Sequence, residues 1–320
     1  MTKKVASRPE RDYAFWVKTA TRASVSVALT LIVVKLWAWV STDASSMLAS
    51  ATDSLLDSLA SLFTFFSVRY ALQPADHEHR FGHGKAESLA ALVQSALITG
   101  SALLLLIHSA QQWYQGGAVA KPTLGIYVSI FAIAVTLGLV LLQRVAIKHT
   151  QSKAIAADHL HFQSDLLLNT AVIVALGLSA YGFYWADSVF AILIAVYLAY
   201  GAIKIGWDAF QGLMDRELPD ADKEKIVAVL AATKGIHGWH DLRTRASGPV
   251  RFIQCHVELD DHLSLRQAHD IADHAEQELR ELFHETDVII HMDPLSAVPD
   301  HPQTSESAAQ PPACDNDHSR

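Results

Sequence analysis

Cysteine is nearly missing from this chain. Of 320 residues only Cys255 and Cys314 carry thiols, the second in a polar tail, so neither a disulfide framework nor a thiolate zinc ribbon can be built. Charge is scarce as well: Asp, Glu, Lys and Arg make up 18% of the chain against 51% apolar residues, with a mean hydropathy of +0.20, whereas an ordinary soluble domain is about a quarter charged. That balance excludes a simple cytosolic enzyme. The net charge is -8 with no run of clustered Lys and Arg, which excludes a broad nucleic-acid surface. The opening MTKKVASRPERDYAFWVKTATR lacks the short apolar run and small-residue site of a secretory signal, so no cleaved segment is expected. No strong internal repeat is visible. Histidine is absent before His77, yet 17 occur in all, gathered in loops and in the last third. Metal chemistry, if any, falls to imidazole and carboxylate.

Six apolar stretches approach the roughly 20 residues needed to cross a bilayer: Ala23 to Val40, Met47 to Leu72, Leu89 to Trp113, Thr123 to Ile147, Ile155 to Tyr181 and Ala186 to Phe210. The second and fifth are interrupted by Asp53, Asp57, His161, Asp165 and Asn169 and rest on length and flanks. Lys3, Lys4, Arg8, Arg11 and Lys18 precede the first span, Arg80 and Lys85 follow the second, Lys148 and Lys153 follow the fourth, and the opposite loops hold only Lys121. The positive-inside rule then puts both termini in the cytoplasm.

Charge becomes dense from Asp215 onward. MDRELPDADKE starts a helix that continues through KIVAVLAAT, and DLRTRASGPVRFIQCHVELDD reads as two strands around a Ser-Gly-Pro turn. One strand face carries Phe252, Gln254, His256 and Glu258, the other Ile253, Cys255, Val257 and Leu259. Ser264 to Phe283 is expected to be a helix with an apolar stripe at Leu265, Ala268, Ile271, Ala272, Ala275 and Leu279, before a buried strand DVIIHMD. The expected architecture is an all-α six-helix transmembrane bundle followed by a small α+β domain of order αββαβ. Its divisions are a cytoplasmic N-terminal segment (1–22), the six-span domain (23–210), a cytoplasmic metal-binding domain (211–297) and a disordered tail (298–320), which has almost nothing to bury.

Asp53 and Asp57 lie four residues apart on the second span, and His161 and Asp165 four apart on the fifth, so each pair shares one helical face. Opposed, the two faces form a cage with three oxygen donors and one nitrogen. Each Asp in hydrocarbon costs roughly 2.5–3.5 kcal/mol on the lenient insertion scale; a proton or a bound cation removes most of that. Four ligands of this type suit a divalent first-row metal or its heavier relative rather than calcium. Zinc leads, with ferrous iron, cadmium and manganese behind. Hydrogen bonding between helices is the plain alternative, and for His108 and Lys35 it is the preferred one. In the loop after the second span, PADHEHRFGHG offers further imidazoles that can equally be solvated. One imidazole, of His240, His256 and His291, falls on each predicted strand, and Asp293, two residues past His291, shares its strand face.

The strings SMLASATDSLLDSLAS, RFGHGKAESLAAL, LHFQSDLLLN, HDLRTR and VIIHMDP, five motifs in order and spacing, resemble the cation diffusion facilitator family, in particular its bacterial zinc and ferrous-iron efflux pumps. The resemblance runs from about Tyr13 to Pro299. It implies a homodimer of six-helix bundles with ferredoxin-like cytoplasmic domains in the bacterial inner membrane, exporting a divalent metal in exchange for protons, with no nucleic-acid partner. The family's transport site maps onto Asp53, Asp57, His161 and Asp165, a set similar to that of zinc and cadmium transporters and unlike the manganese type. A loop metal site maps onto Asp76, His79 and His83. A binuclear cytoplasmic site with a bridging carboxylate, holding structural Zn2+, maps onto His240, His256, His269, His291 and Asp293, leaving out His237, His262, His274 and His284. Met292 stands where close relatives often have Gln. Lys85 and Asp215 resemble a charge interlock at the dimer interface, and Leu160 a hydrophobic gate.

Two other classes compete with a proton-coupled exporter. An intramembrane metallohydrolase needs an open metal position and a general base, typically in H-E-x-x-H, and neither HEHR nor HETD completes that motif. A metal-sensing receptor without transport keeps the cytoplasmic histidines but has no use for carboxylates within the bilayer.

Overall fold

The computed structural model describes residues 8–42, 45–115, 123–179, 186–283 and 285–298. Its first compact unit is helical, with α1 (Arg8–Thr42), α2 (Ser45–Ala71), α3 (Lys85–Gln115), α4 (Thr123–Thr150), α5 (Lys153–Ser179) and α6 (Ala186–Leu213). Each expected span falls on one of these helices, the second running one residue past α2 to Leu72 and the fifth ending at Tyr181, outside the described residues. Helix α1 already starts at Arg8, so the part of the N-terminal segment from that residue onward is helical and continuous with the first span.

Four of the described helices contain stretches long and apolar enough to cross a membrane: Asp12–Ser41, Lys85–Gln111, Tyr127–Thr150 and Ser188–Leu213. Helices α2 and α5 fall short because Asp53, Asp57 and Arg69, and Asp158, His159, His161 and Asp165, dilute them. Burial in this unit inverts the soluble pattern. Ala20, Ala28, Ala38, Ala91, Ala157, Ala202 and Ala209 are enclosed between helices, while Leu104, Tyr127, Tyr200 and Val40 face outward. Small residues let backbones approach and large apolar ones meet lipid, as expected where helix association cannot draw on a hydrophobic gradient.

The second unit contains α7 (Asp220–Ala232), β1 (Gly238–Ser247), β2 (Val250–Leu259), α8 (Leu265–Phe283) and β3 (Thr286–Pro294). The sheet order is β1-β2-β3. Two residues join β1 to β2, one of them Gly248 at φ +59°, and so short a connection makes the pair an antiparallel hairpin. By contrast β2 and β3 are parallel, with His256 opposite His291 and Glu258 opposite Asp293; helix α8 is the crossover. Its start is fixed by a reciprocal cap in which the Gln267 amide donates to Ser264 Oγ and the Ser264 amide donates to Gln267 Oε1.

One face of the sheet supplies Ile253, Cys255, Val257 and Leu259 to a core completed by Ile226, Leu230, Ala272, Ala275, Leu279 and Phe283. Burial holds the Cys255 thiol up at about 12, so it packs as a small apolar group. Two details differ from the sequence pattern. Leu265, in the first turn of α8, is 80% exposed, because the stripe engages the sheet only from the second turn. Phe252, on the nominally open face, is covered by the Arg245 guanidinium 4.3 Å from its ring centroid. The tail from residue 299, with Cys314, lies outside the described residues. Leu279→Ala should destabilise this unit by about 2–5 kcal/mol and Leu265→Ala by less than about 0.5 kcal/mol, a contrast readable as the shift of urea midpoint at constant slope.

Candidate metal centres

Helix periodicity places Asp57 on α2 and His161 and Asp165 on α5 so that one donor atom from each lies within 4.8 Å of the others. His161 Nε2 approaches Asp57 Oδ1 to 3.0 Å, yet this buried nitrogen makes no aligned hydrogen bond among the described residues. A ring nitrogen aimed at two carboxylates without hydrogen-bond geometry is suited to metal ligation. The His161 ring is steadied edge-on by Phe162, centroids 5.5 Å apart. Asp53, one turn before Asp57, is exposed and stands outside this group of three. Lys35 of α1 donates from Nζ to Ser54 Oγ at 2.6 Å, which brings a fixed positive charge beside Asp53.

Between α2 and α3 the loop turns on Asp76. Its Oδ1 accepts the amides of Glu78 at 2.9 Å and His79 at 2.6 Å, and these backbone bonds, the one from His79 foremost, hold the carboxyl below its usual range. Asp76 also meets His79 Nδ1 and His83 Nε2, each at 3.3 Å, so the three expected residues converge. His83 is buried, and its Nδ1 lies 3.3 Å from the Gln73 carbonyl. With Nδ1–H donating there, Nε2 keeps its lone pair for an ion.

On the open face of the sheet, each strand contributes an imidazole. Asp293 Oδ2 lies 2.8 Å from His256 Nδ1 and 3.5 Å from His240 Nε2, and Oδ1 lies 3.2 Å from His291 Nε2. One carboxylate thus faces three rings, with His240–His256 and His256–His291 centroids 5.0 and 4.6 Å apart. The parallel register that sets His256 beside His291 and Glu258 beside Asp293 produces this convergence. The tight group is His240, His256 and Asp293, which the exposed His291 joins through Asp293 Oδ1, and His269, expected with them, is exposed on α8 and lies outside it.

Lys85 Nζ reaches Asp215 at 3.0 Å and the Leu213 carbonyl at 3.3 Å, closing the end of α6 within a single chain. Leu160 is packed with Ile98, Ala102, Leu198 and Ala202, tightly enough that a Cβ on Gly201 would come within 3.1 Å of it. Met292 lies against the core of the second unit.

Three features were not anticipated from the residues alone. Glu258 Oε1 holds His240 Nδ1 at 3.1 Å, signalled only by its place two residues after His256. Glu87 accepts the Tyr13 hydroxyl at 2.6 Å. Asp158 is buried and hydrogen-bonded to Gln94 and Gln143; a carboxylate three residues before His161 was the available signal.

Residues 21–214 match the family model described as the cation efflux transmembrane domain, and residues 218–295 that of the cation efflux protein cytoplasmic domain. The chain belongs to the cation efflux family. The cation-efflux pump FieF of Shewanella oneidensis is 50% identical over 288 residues, covering 90% of this chain and 97% of that protein, and that of Pectobacterium atrosepticum is 52% identical over 289 residues, covering 90% and 96%. Among solved structures, the metal-bound C-terminal domain of the CzcD transporter from Thermotoga maritima is 30% identical, covering 25% of this chain and 93% of that one at a TM-score of 0.24. By its transmembrane domain and its apolar helices this cation efflux chain is a multi-pass membrane protein. Asp293→Asn should weaken divalent-metal binding to the second unit by about 10-fold or more, whereas His269→Ala should leave it nearly unchanged; isothermal titration of the two variants separates them, because only Asp293 faces several imidazoles.

Proposed function

We propose that this cation efflux protein is a proton-coupled antiporter that exports divalent transition metals, Zn2+ foremost and also Cd2+ or Fe2+, from the cytoplasm. The observation that carries this reading is the convergence of Asp57, His161 and Asp165 from two helices of the membrane unit; Asp53, one turn before Asp57 and outside that group in this structure, would be the fourth ligand of a bound ion. Mixed carboxylate and imidazole donors favour zinc and its neighbours over calcium or magnesium. The same atoms bind protons, so metal and protons compete for one site by mass action. Metal entering from the cytoplasmic side displaces protons; when the bundle opens outward, incoming protons displace the metal, and the proton gradient drives export.

The loop residues Asp76, His79 and His83 form a second metal-binding point on this reading. In the cytoplasmic domain His240, His256, His291 and Asp293 would hold resident zinc; their donor chemistry fits, with one carboxylate among three imidazoles and Glu258 orienting His240. Such an ion supplies a cross-link between strands. The protein works as a homodimer in the bacterial inner membrane with both termini cytoplasmic, and Lys85 and Asp215 fasten the α6 end. In reconstituted vesicles Asp57→Ala should abolish zinc-dependent proton flux while His83→Ala gives a milder loss; unchanged flux in Asp57→Ala would remove the intramembrane site from the mechanism.

A further inference from the structure

The two helices that carry the intramembrane donors touch each other sparsely, whereas α3 borders both. Their spacing at the donors is therefore set elsewhere. Thr64 Oγ1 on α2 donates to Gln94 Oε1 on α3 at 2.5 Å, and Gln94 Nε2 donates to Asp158 Oδ1 on α5 at 3.2 Å. From the other side Gln143 Nε2 on α4 donates to Asp158 Oδ2 at 2.9 Å and to Ser24 Oγ on α1 at 3.0 Å. Five helices meet at one carboxylate, and every side chain in the relay is at most 2% exposed.

The relay has a fixed relation to the donors. Thr64 follows Asp57 by seven residues and Asp158 precedes Asp165 by seven. Seven residues make two helical turns, about 10 Å of rise, and return to nearly the same face. On antiparallel α2 and α5 the donor cluster and the relay are thus two successive rungs between the same helix faces. The upper rung joins the helices directly, through His161 Nε2 and Asp57 Oδ1 at 3.0 Å with two carboxylates opposed beside them; the lower joins them through hydrogen bonds with Gln94 interposed.

We propose that Asp158 is a positioning residue: acting through Gln94 and Gln143, it fixes the separation of α2 and α5 and with it the size of the metal site. The inference rests on the transport reading above. What matters is that both carboxylate oxygens engage an amide; the charge is incidental. The substitution Asp158→Asn keeps the pattern. Its side-chain oxygen accepts from Gln143 and its side-chain amide donates to Gln94 once the Gln94 amide turns over, with Gln94 Nε2 then donating to the Thr64 hydroxyl. Neither Asp158→Ala nor Gln94→Leu can rebuild these bonds.

The test is metal uptake into inverted vesicles by the full-length wild type and by Asp158→Asn, Asp158→Ala, Gln94→Leu and Asp57→Ala. Asp158→Ala and Gln94→Leu should raise KM for zinc by up to about 100-fold, the scale of a site misplaced from a distance, with a smaller effect on kcat and a shifted preference between zinc and the larger cadmium ion. Asp158→Asn should stay within about threefold of wild type, because its hydrogen bonds survive. If Asp158→Asn is as impaired as Asp158→Ala, the charge and not the position matters and the inference falls; it falls equally if Gln94→Leu keeps the wild-type KM and zinc-to-cadmium ratio. Should Asp158→Ala fail to fold, Gln94→Leu and Asp158→Asn decide alone. Wild type and Asp57→Ala report separately on transport: a wild type that carries no zinc defeats the functional reading itself, whatever the other variants do.

Discussion

Carboxylates do not rest easily inside a helical membrane unit, and the architecture of the first unit follows from where it puts them. Each Asp in hydrocarbon costs roughly 2.5–3.5 kcal/mol even on a lenient scale, and α2 and α5 between them carry Asp53, Asp57, Asp158 and Asp165. The other four helices keep the apolar length that these two give up. Alanines at the helix contacts allow the close approach that lets α3 and α4 bring their glutamines to Asp158. Within that frame Asp57, Asp165 and His161 stand partly buried with one donor atom each within 4.8 Å of the others.

The same chemistry recurs in the loop and on the sheet, built each time from different local structure. A helix supplies donors at four-residue spacing, a loop gathers them by folding around a carboxylate that accepts its own backbone amides, and a sheet gathers them by register. In the last two cases an imidazole nitrogen is engaged away from the centre, His83 at the Gln73 carbonyl and His240 at Glu258, which fixes the other nitrogen toward the shared carboxylate.

Much of this was legible in the sequence for physical reasons. Polar residues four apart inside apolar runs identify a helical face, and alternation in FIQCHVEL divides the sheet's core from its open side; Ile253, Cys255, Val257 and Leu259 are buried as that alternation requires. What escaped depended on relations between elements. Glu258 joins through the adjacency of β1 and β2, where it meets His240, while His269 stays on α8, and no periodicity within a single segment encodes that. Gln94, Gln143 and Asp158 each look like an ordinary polar interruption of a span; only the packing of α3 and α4 against α5 makes them one relay. Asp53 shares a helical face with Asp57, but same-face spacing does not fix side-chain convergence, and the structure gathers three donors where four were expected.

On the proposed transport reading, α2 and α5 together hold one dehydrated ion. Anomalous scattering at the zinc edge from zinc-loaded protein, in a lipid environment, locates the ion directly. A peak is expected about 2.0–2.2 Å from a carboxylate oxygen of Asp57, a ring nitrogen of His161 and a carboxylate oxygen of Asp165. A map in which the cytoplasmic histidines hold zinc while the space between α2 and α5 shows none would contradict it.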